Sequence, residues 1–274
     1  MDNKKDYKDK DRTRRPYSGR KEADRTVTID PDSCAYGRNA AREILASGRD
    51  IDKIFVAAGD REGSILALIG EAKSRGIPVS EVDRRKLDAM VGNARHQGIV
   101  VMASMTEYCA VEDILAIADE RGEAPFIVIA DGIEDPHNLG AIIRTAECCG
   151  AHGLILQKRH ASGITPVVAK ASAGAVSHLA IARVSNLACT VEELKKKGIW
   201  VYAADMDGTN YRELDYRGPC ALVMGSEGFG ISRLVREKCD FVASIPIYGH
   251  VNSMNVSAAA AVLLCEIASA RHKS

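Results

Sequence analysis

The first thirty or so residues show no hydrophobic periodicity and are dense in charge, which predicts a disordered tail over 1–32. From Tyr36 onward apolar and polar positions recur at regular spacings. YGRNAAREILASG (36–48) has the spacing of a helix stopped at Gly48, and IDKIFVAAG (51–59) reads as a strand. SILALIGEAKSRG (64–76) is a second helical stretch ended by Gly76, followed by IPVSEV (77–82) as a strand. DRRKLDAMV (83–91) reads as a short helix and GIVVMAS (98–104) as a strand. This alternation predicts a small α/β unit covering 33–104. A connector at 105–123 follows, in which VEDILAIADERG (111–122) has helical spacing.

A second alternating run begins at Phe126. FIVIAD (126–131) is a near-continuous apolar strand, the kind buried on both faces of a parallel sheet. NLGAIIRTAECCG (138–150) is helical and ends at Gly150, GLILQ (153–157) is a strand, and PVVAKASAGA (166–175) has helical spacing. IARV (181–184), IWVYAAD (199–205), CALVMG (220–225) and FVASIPI (241–247) are further strands. TVEELKKKG (190–198), ISRLVREKC (231–239) and NVSAAAAVLLCEIASAR (255–271) are helices. The prediction is an α/β domain over 124–274 with about six parallel strands joined by helical crossovers.

Composition narrows the class. The 274 residues are 46% apolar and 27% charged, ordinary for a globular protein, and only 5% aromatic, which argues against a broad base-stacking surface. Net charge is zero but unevenly spread: residues 1–25 carry ten Lys and Arg against six Asp and Glu. A basic tail on an otherwise acidic body is compatible with RNA binding and equally with a solvated tail that has no partner. The eight cysteines form no C-x-x-C pair and sit mostly in apolar runs, as buried thiols of a reducing cytoplasm do. The longest apolar run, near Val256–Cys265, is too short to span a bilayer, so no membrane association is expected. Asp131, Glu134, Asp135 and His137 are too irregularly spaced to predict a metal site, and the seven histidines form no hydrolase pattern.

Three polar clusters each follow a predicted strand, where open α/β sheets bind ligands. In the first, DGIEDPHNLGAIIR (131–144), Asn138 is a candidate N-cap. Leu139, Ile142, Ile143 and Ala146 share one helix face, while Arg144 lies about 140° from Leu139, pointing off that face and away from its own sheet. The second, ALVMGSEGFG (221–230), is a strand running into a glycine-rich turn that holds Glu227. Its G-x-x-G-x-G spacing matches neither a dinucleotide fingerprint nor a phosphate loop. In the third, IPIYGHVNSMNVS (245–257), Ser253, Asn255 and Ser257 gather at a helix N-terminus whose free amides can be capped or can bind an acceptor. Taken singly, each cluster is also explained by capping or by an exposed turn.

Together, in this order and spacing, they closely resemble the three motifs of the SpoU (TrmH-type) RNA ribose methyltransferases: NLGAIIR (138–144), MGSEGFG (224–230) and IPIYGHVNSMNV (245–256). YGRNAAREIL at 36–45 and NARHQG at 93–98 look like that family's ribosomal-protein-like, RNA-binding unit. The arrangement is similar to the 23S rRNA guanosine-2'-O-methyltransferase branch. The resemblance implies a trefoil-knotted catalytic domain, S-adenosylmethionine as cofactor, RNA as substrate (23S rRNA in this branch) and a homodimer. Cofactor contacts would fall to Met224, Gly225, Ile245, Ile247 and Met254, largely through main chain. RNA placement and catalysis would fall to Asn138, Arg144, Glu227, Ser253 and Asn255, with Arg144 reaching the ribose hydroxyl at a dimer interface. Two other readings stay open: a tRNA substrate, and a non-catalytic RNA-binding or ribosome-assembly protein on the same scaffold.

Overall fold

The computed structural model describes residues 34–59, 63–92 and 94–272; the tail expected at 1–32 and Asn93 lie outside them. The first unit comprises β1 (Cys34–Tyr36), α1 (Arg38–Ala46), β2 (Ile51–Ala57), α2 (Ser64–Ser74), β3 (Val79–Val82), α3 (Arg84–Met90) and β4 (Ile99–Ala103). Its sheet has the order β1-β4-β2-β3. β4 runs antiparallel to both β1 and β2, and β3 is parallel to β2. Three residues are too few to show a period, so β1 escaped the pattern. Alternation along the strands divides the core. Ile54, Val56, Ile99 and Val101 pack on Leu45 of α1 and Leu68 of α2, whereas Ala57, Val100 and Met102 meet Leu87 and Met90 of α3.

The second sheet has six strands, all parallel. α4 (Val111–Arg121) precedes it, and then come β5 (Phe126–Asp131), α5 (Pro136–Cys148), β6 (Gly153–Gln157), α6 (Pro166–Ala171), β7 (Ala180–Val184) and α7 (Leu187–Lys196). β8 (Trp200–Asn210), β9 (Cys220–Gly225), α8 (Arg233–Lys238), β10 (Phe241–Ser244) and α9 (Val256–His272) complete it. The order is β10-β8-β9-β5-β6-β7, with β5 and β9 paired at its centre and every residue of both buried. Their continuous apolar sequence has a direct cause, because each face is covered. Phe126, Val128 and Ala130 pack with α5 and α9 through Leu139, Ile142, Leu263 and Ile267. Ile127 and Ile129 face α4, α7 and α8 through Ile114, Val191 and Val235. The stretch at 105–123, expected as a connector, therefore supplies a helix that packs on the parallel sheet: Ile114 is fully buried, where only the lack of a Cβ at Gly153 lets it in.

Local outcomes differ from the pattern at several points. The helix expected over 166–175 ends at Ala171; Ala173 and Gly174 take positive φ and a 3-10 turn follows at Ala175–Ser177. The strand expected over 241–247 stops at Ser244, releasing Ile245–Ile247 into a loop. β8 runs on to Asn210 along the edge strand β10. Among the described residues, no helix is long and apolar enough to cross a membrane.

Candidate active site

β5 and β9 end side by side, with Asp131 registered opposite Gly225. Chain order reverses here: β5, β6 and β7 step one way across the sheet, while β8 and β10 lie on the other side of β9. Such a switch point opens a crevice at the carboxyl ends of the strands. Two adjoining cavities occupy it, with the turn Ser226–Gly230 and Val256 common to both walls.

The turn is closed by two main-chain hydrogen bonds, Ser226 N–H to Gly230 O (3.0 Å) and Gly230 N–H to Ser226 O (2.8 Å), with Gly230 at φ +67°. Its exit is tied to the neighbouring strand, where the buried Asp131 carboxylate accepts from the Ser232 amide at 2.7 Å. At Gly225 the turn packs directly on the strand end, leaving no room for a side chain.

The first cavity, about 380 Å³, is within the roughly 300–1,000 Å³ range of small-molecule sites. All five residues expected to hold a cofactor line it: Met224, Gly225, Ile245, Ile247 and Met254. Ser253 and Glu227 border it too. Sequence reasoning missed its wall from β8, Ala204, Asp205 and Met206. A carboxylate at the C-terminal end of the strand expected over 199–205 was the available signal for Asp205, which Arg236 Nε holds at 2.7 Å. The second cavity, about 450 Å³, is lined by Asp131, Glu134, Asp135, Asn138, His160 and Glu227. Among the described residues, no group of three or more His, Cys, Asp and Glu side chains is placed to hold a metal ion.

Between the cavities the three clusters meet in one triangle. Glu227 Oε1 accepts from Asn138 Nδ2 (3.1 Å) and from Asn255 Nδ2 (2.5 Å), while Asn255 Nδ2 also donates to Asn138 Oδ1 (3.0 Å). Asn255 caps α9 as well, its Oδ1 accepting from the amides of Ser257 (2.9 Å) and Ala258 (3.2 Å). The expectation that Asn138 caps its helix is corrected. Asp135 is the cap, accepting from the amides of His137 (2.8 Å) and Asn138 (3.0 Å), with Pro136 pre-set for the first turn. Asn138 is thereby free to reach across to Glu227.

Arg144 stands apart. It is exposed on α5, lines neither cavity, and makes no hydrogen bond or ion pair with any described residue. Leu139, Ile142, Ile143 and Ala146 are buried, so the arginine does point away from its own sheet. The rim is also uncovered, with Phe229 and Tyr248 each 96% exposed.

Residues 125–265 match the model of the SpoU rRNA Methylase family, and 34–109 match that of RNA 2'-O ribose methyltransferase substrate binding. The chain belongs to the SpoU rRNA methylase family. It is 47% identical over 232 residues to a Bacillus subtilis protein assigned to the TrmH family as a tRNA/rRNA methyltransferase, YacO, with 84% of this chain and 93% of that protein covered. Two solved SpoU-type structures resemble it. AviRb from Streptomyces viridochromogenes, in complex with the cofactor AdoMet, aligns with TM-score 0.56 and 22% identity over 88% of this chain and 91% of its own, a likeness of fold alone. An AdoMet-bound rRNA methyltransferase from Sinorhizobium meliloti aligns with TM-score 0.51 and 25% identity over 85% of each chain. The expected α/β architecture, a parallel-sheet SpoU domain behind a smaller substrate-binding unit, is thus established, as is the activity class of an RNA 2'-O-ribose methyltransferase.

Proposed function

We propose that the protein transfers a methyl group from S-adenosylmethionine to a ribose 2'-hydroxyl of RNA, with a guanosine of 23S rRNA as its target. The observation that carries this reading is the Asn138–Glu227–Asn255 triangle, which joins the three motif loops at the wall between two cavities. The first cavity suits the cofactor: apolar side chains and strand-end main chain make up most of its wall. Met224, Gly225, Ile245, Ile247 and Met254 are the residues that would hold it. When bound, the cofactor supplies an electrophilic methyl group on a sulfonium.

The chain's own residues do the rest. An apolar wall disfavours a full positive charge, so it favours the state in which that charge is being lost. Asn138, Glu227, Ser253 and Asn255 orient the ribose, and the value of that alignment is entropic. A guanidinium offers only N–H donors and no acceptor, so Arg144 is not the group that takes the hydroxyl proton. Its role is therefore to stabilise the developing alkoxide, and water or an RNA phosphate takes the proton. Since Arg144 lies outside both cavities of its own chain, Arg144 of a second copy completes the site, and the enzyme works as a homodimer. The trefoil knot and a cytoplasmic location belong to this same reading.

The substrate-binding unit favours rRNA, while the name of the Bacillus subtilis relative keeps tRNA as the second reading. Incubating the purified protein with methyl-labelled cofactor and either deproteinised rRNA or tRNA separates them. Label in 2'-O-methylguanosine of 23S rRNA is the expected result. Absence of cofactor binding by calorimetry would instead favour a non-catalytic RNA-binding role, and full activity in a strictly monomeric protein would overturn the dimeric site.

A further inference from the structure

Where the two units meet, a buried polar junction has been given no role. Arg183 on β7 and Asp52 on β2 form an ion pair, Nη1 to Oδ1 at 3.0 Å, with side chains only 10% and 5% exposed. The same guanidinium donates to the carbonyls of Ile51 (3.4 Å) and Asp52 (3.3 Å) in the first unit and of Lys158 (3.2 Å) in the second. It stacks 4.8 Å from the ring centre of Tyr108, in the segment that joins the units. The Tyr108 hydroxyl donates to Asp52 Oδ1 at 2.5 Å and accepts from the Ile164 amide at 3.2 Å. The Tyr108 amide donates to Asp50 Oδ2 at 2.8 Å. Main-chain bonds run alongside, Ser104 N–H to Asp50 O and Met105 N–H to Ile164 O, both 2.9 Å. Gly163 is required here, since any side chain on it would collide with the Asp52 carboxylate.

Burial raises the Asp52 carboxyl and the Tyr108 phenol above their ordinary ranges. A buried ion pair of this kind adds little net stability compared with apolar packing; what it offers is one defined geometry. The loop between β6 and α6 carries that geometry toward the cleft. Its root is held at Lys158 by Arg183, its middle is bonded through Ser162 N–H to Ile133 O (2.8 Å), and His160 between them lines the second cavity beside Asn138 and Glu227.

We infer that Asp52, Tyr108 and Arg183 are positioning residues that register the substrate-binding unit against the catalytic cleft, and so select which ribose of a bound RNA is presented to it. The inference rests on the methyl-transfer reading above. The residues touch neither cofactor nor ribose, so their effect falls on RNA recognition and site choice rather than on cofactor binding.

The test compares wild type with Arg183→Gln, with Tyr108→Phe, which keeps the stacked ring, and with the pair Asp52→Asn/Arg183→Gln, which leaves no lone buried charge if the single variant folds poorly. Three readouts are taken: steady-state methyl transfer to deproteinised rRNA from cells lacking the enzyme, with methylated riboses mapped; S-adenosylhomocysteine affinity by calorimetry; and amide hydrogen exchange over 104–109. The expected result is a KM for RNA raised by about tenfold or more with kcat changed far less, methyl groups spread to additional riboses, unchanged cofactor affinity and faster exchange in the linker. Unchanged KM and site choice despite a loosened linker would overturn the inference. So would a fall in cofactor affinity in step with activity, which marks general destabilisation. If wild type methylates no RNA, the proposed function itself fails; exchange then judges the junction, and a linker as protected in the double variant as in wild type overturns it.

Discussion

Gly225→Ala tests the whole construction of the cleft with one methyl group. Gly225 is the buried last residue of β9, opposite Asp131 of β5. An added Cβ would strike the carbonyl carbon of Gly230 and the amide of Ile231, and would lie 2.6 Å from the Gly230 oxygen. Ordinary non-bonded contacts are roughly 3.5–4.0 Å, so the turn must retreat by about 1 Å. None of these nearest atoms belongs to a flexible side chain; they are main chain of Gly230, in the turn that walls both cavities, and of Ile231 just beyond it. Overpacking of this kind costs about 1–3 kcal/mol of stability. A 1 Å displacement of aligned groups costs about 100-fold in rate. Since the same turn faces the first cavity, cofactor affinity should fall by about tenfold or more, equivalent to about 1.4 kcal/mol per decade. The assay is single-turnover methyl transfer with saturating RNA, beside calorimetric titration of S-adenosylhomocysteine and urea denaturation. Gly218→Ala is the control: nothing lies within 4 Å of a Cβ there, and it borders neither cavity. If Gly225→Ala kept rate and cofactor affinity within about threefold of wild type, the claim that this turn is fixed against the strand end would be wrong.

Other predictions follow from the same geometry. Replacing Arg144 by Lys or Ala should lower kcat by about 100- to 1,000-fold without weakening cofactor binding, and near-full activity in the lysine variant would show that an oriented guanidinium is unnecessary. Glu227→Gln keeps an acceptor for Asn138 and Asn255 but removes the charge that strengthens both bonds, so kcat/KM should drop by roughly tenfold, about 1–2 kcal/mol, with the fold unchanged by circular dichroism. His152 offers a pH test of stability. Its Nδ1 accepts from the Phe126 amide (2.9 Å) and its Nε2–H donates to Glu123 (3.0 Å), and burial holds the imidazole below its ordinary range although Glu123 opposes the shift. A depressed folded-state value means that the unfolded chain takes up the proton first. This contribution is therefore complete above about pH 6.5 and is lost as pH falls through that value toward the folded one, at no more than about 1.4 kcal/mol per pH unit for one proton. The urea midpoint should fall between pH 7 and 5, and His152→Gln, which can still accept and donate, should flatten that slope; an unaltered slope would refute the assignment.

Hydrophobic periodicity by itself determined most of the alternating elements of both units, though not the three-residue β1, and it did so because local spacing decides which face of a helix or strand can be buried. FIVIAD and CALVMG read as doubly covered strands before any fold was known, and Arg144 read as turned away from its sheet. The motif residues were legible too: the five at 224, 225, 245, 247 and 254 do line one cavity. What the tertiary structure decided involves partners remote in sequence. Local capping rules put Asn138 at the helix start, but Asp135 took that place, and Asn138 instead binds Glu227, 89 positions away, and Asn255, 117 away. The wall at Asp205 depends on β8 lying beside β9 rather than next to β7, and the Asp52–Arg183 junction joins residues 131 apart. Strand order and the meeting of two units are settled by which buried faces and polar groups satisfy one another in three dimensions, and no pattern confined to neighbouring residues encodes that choice.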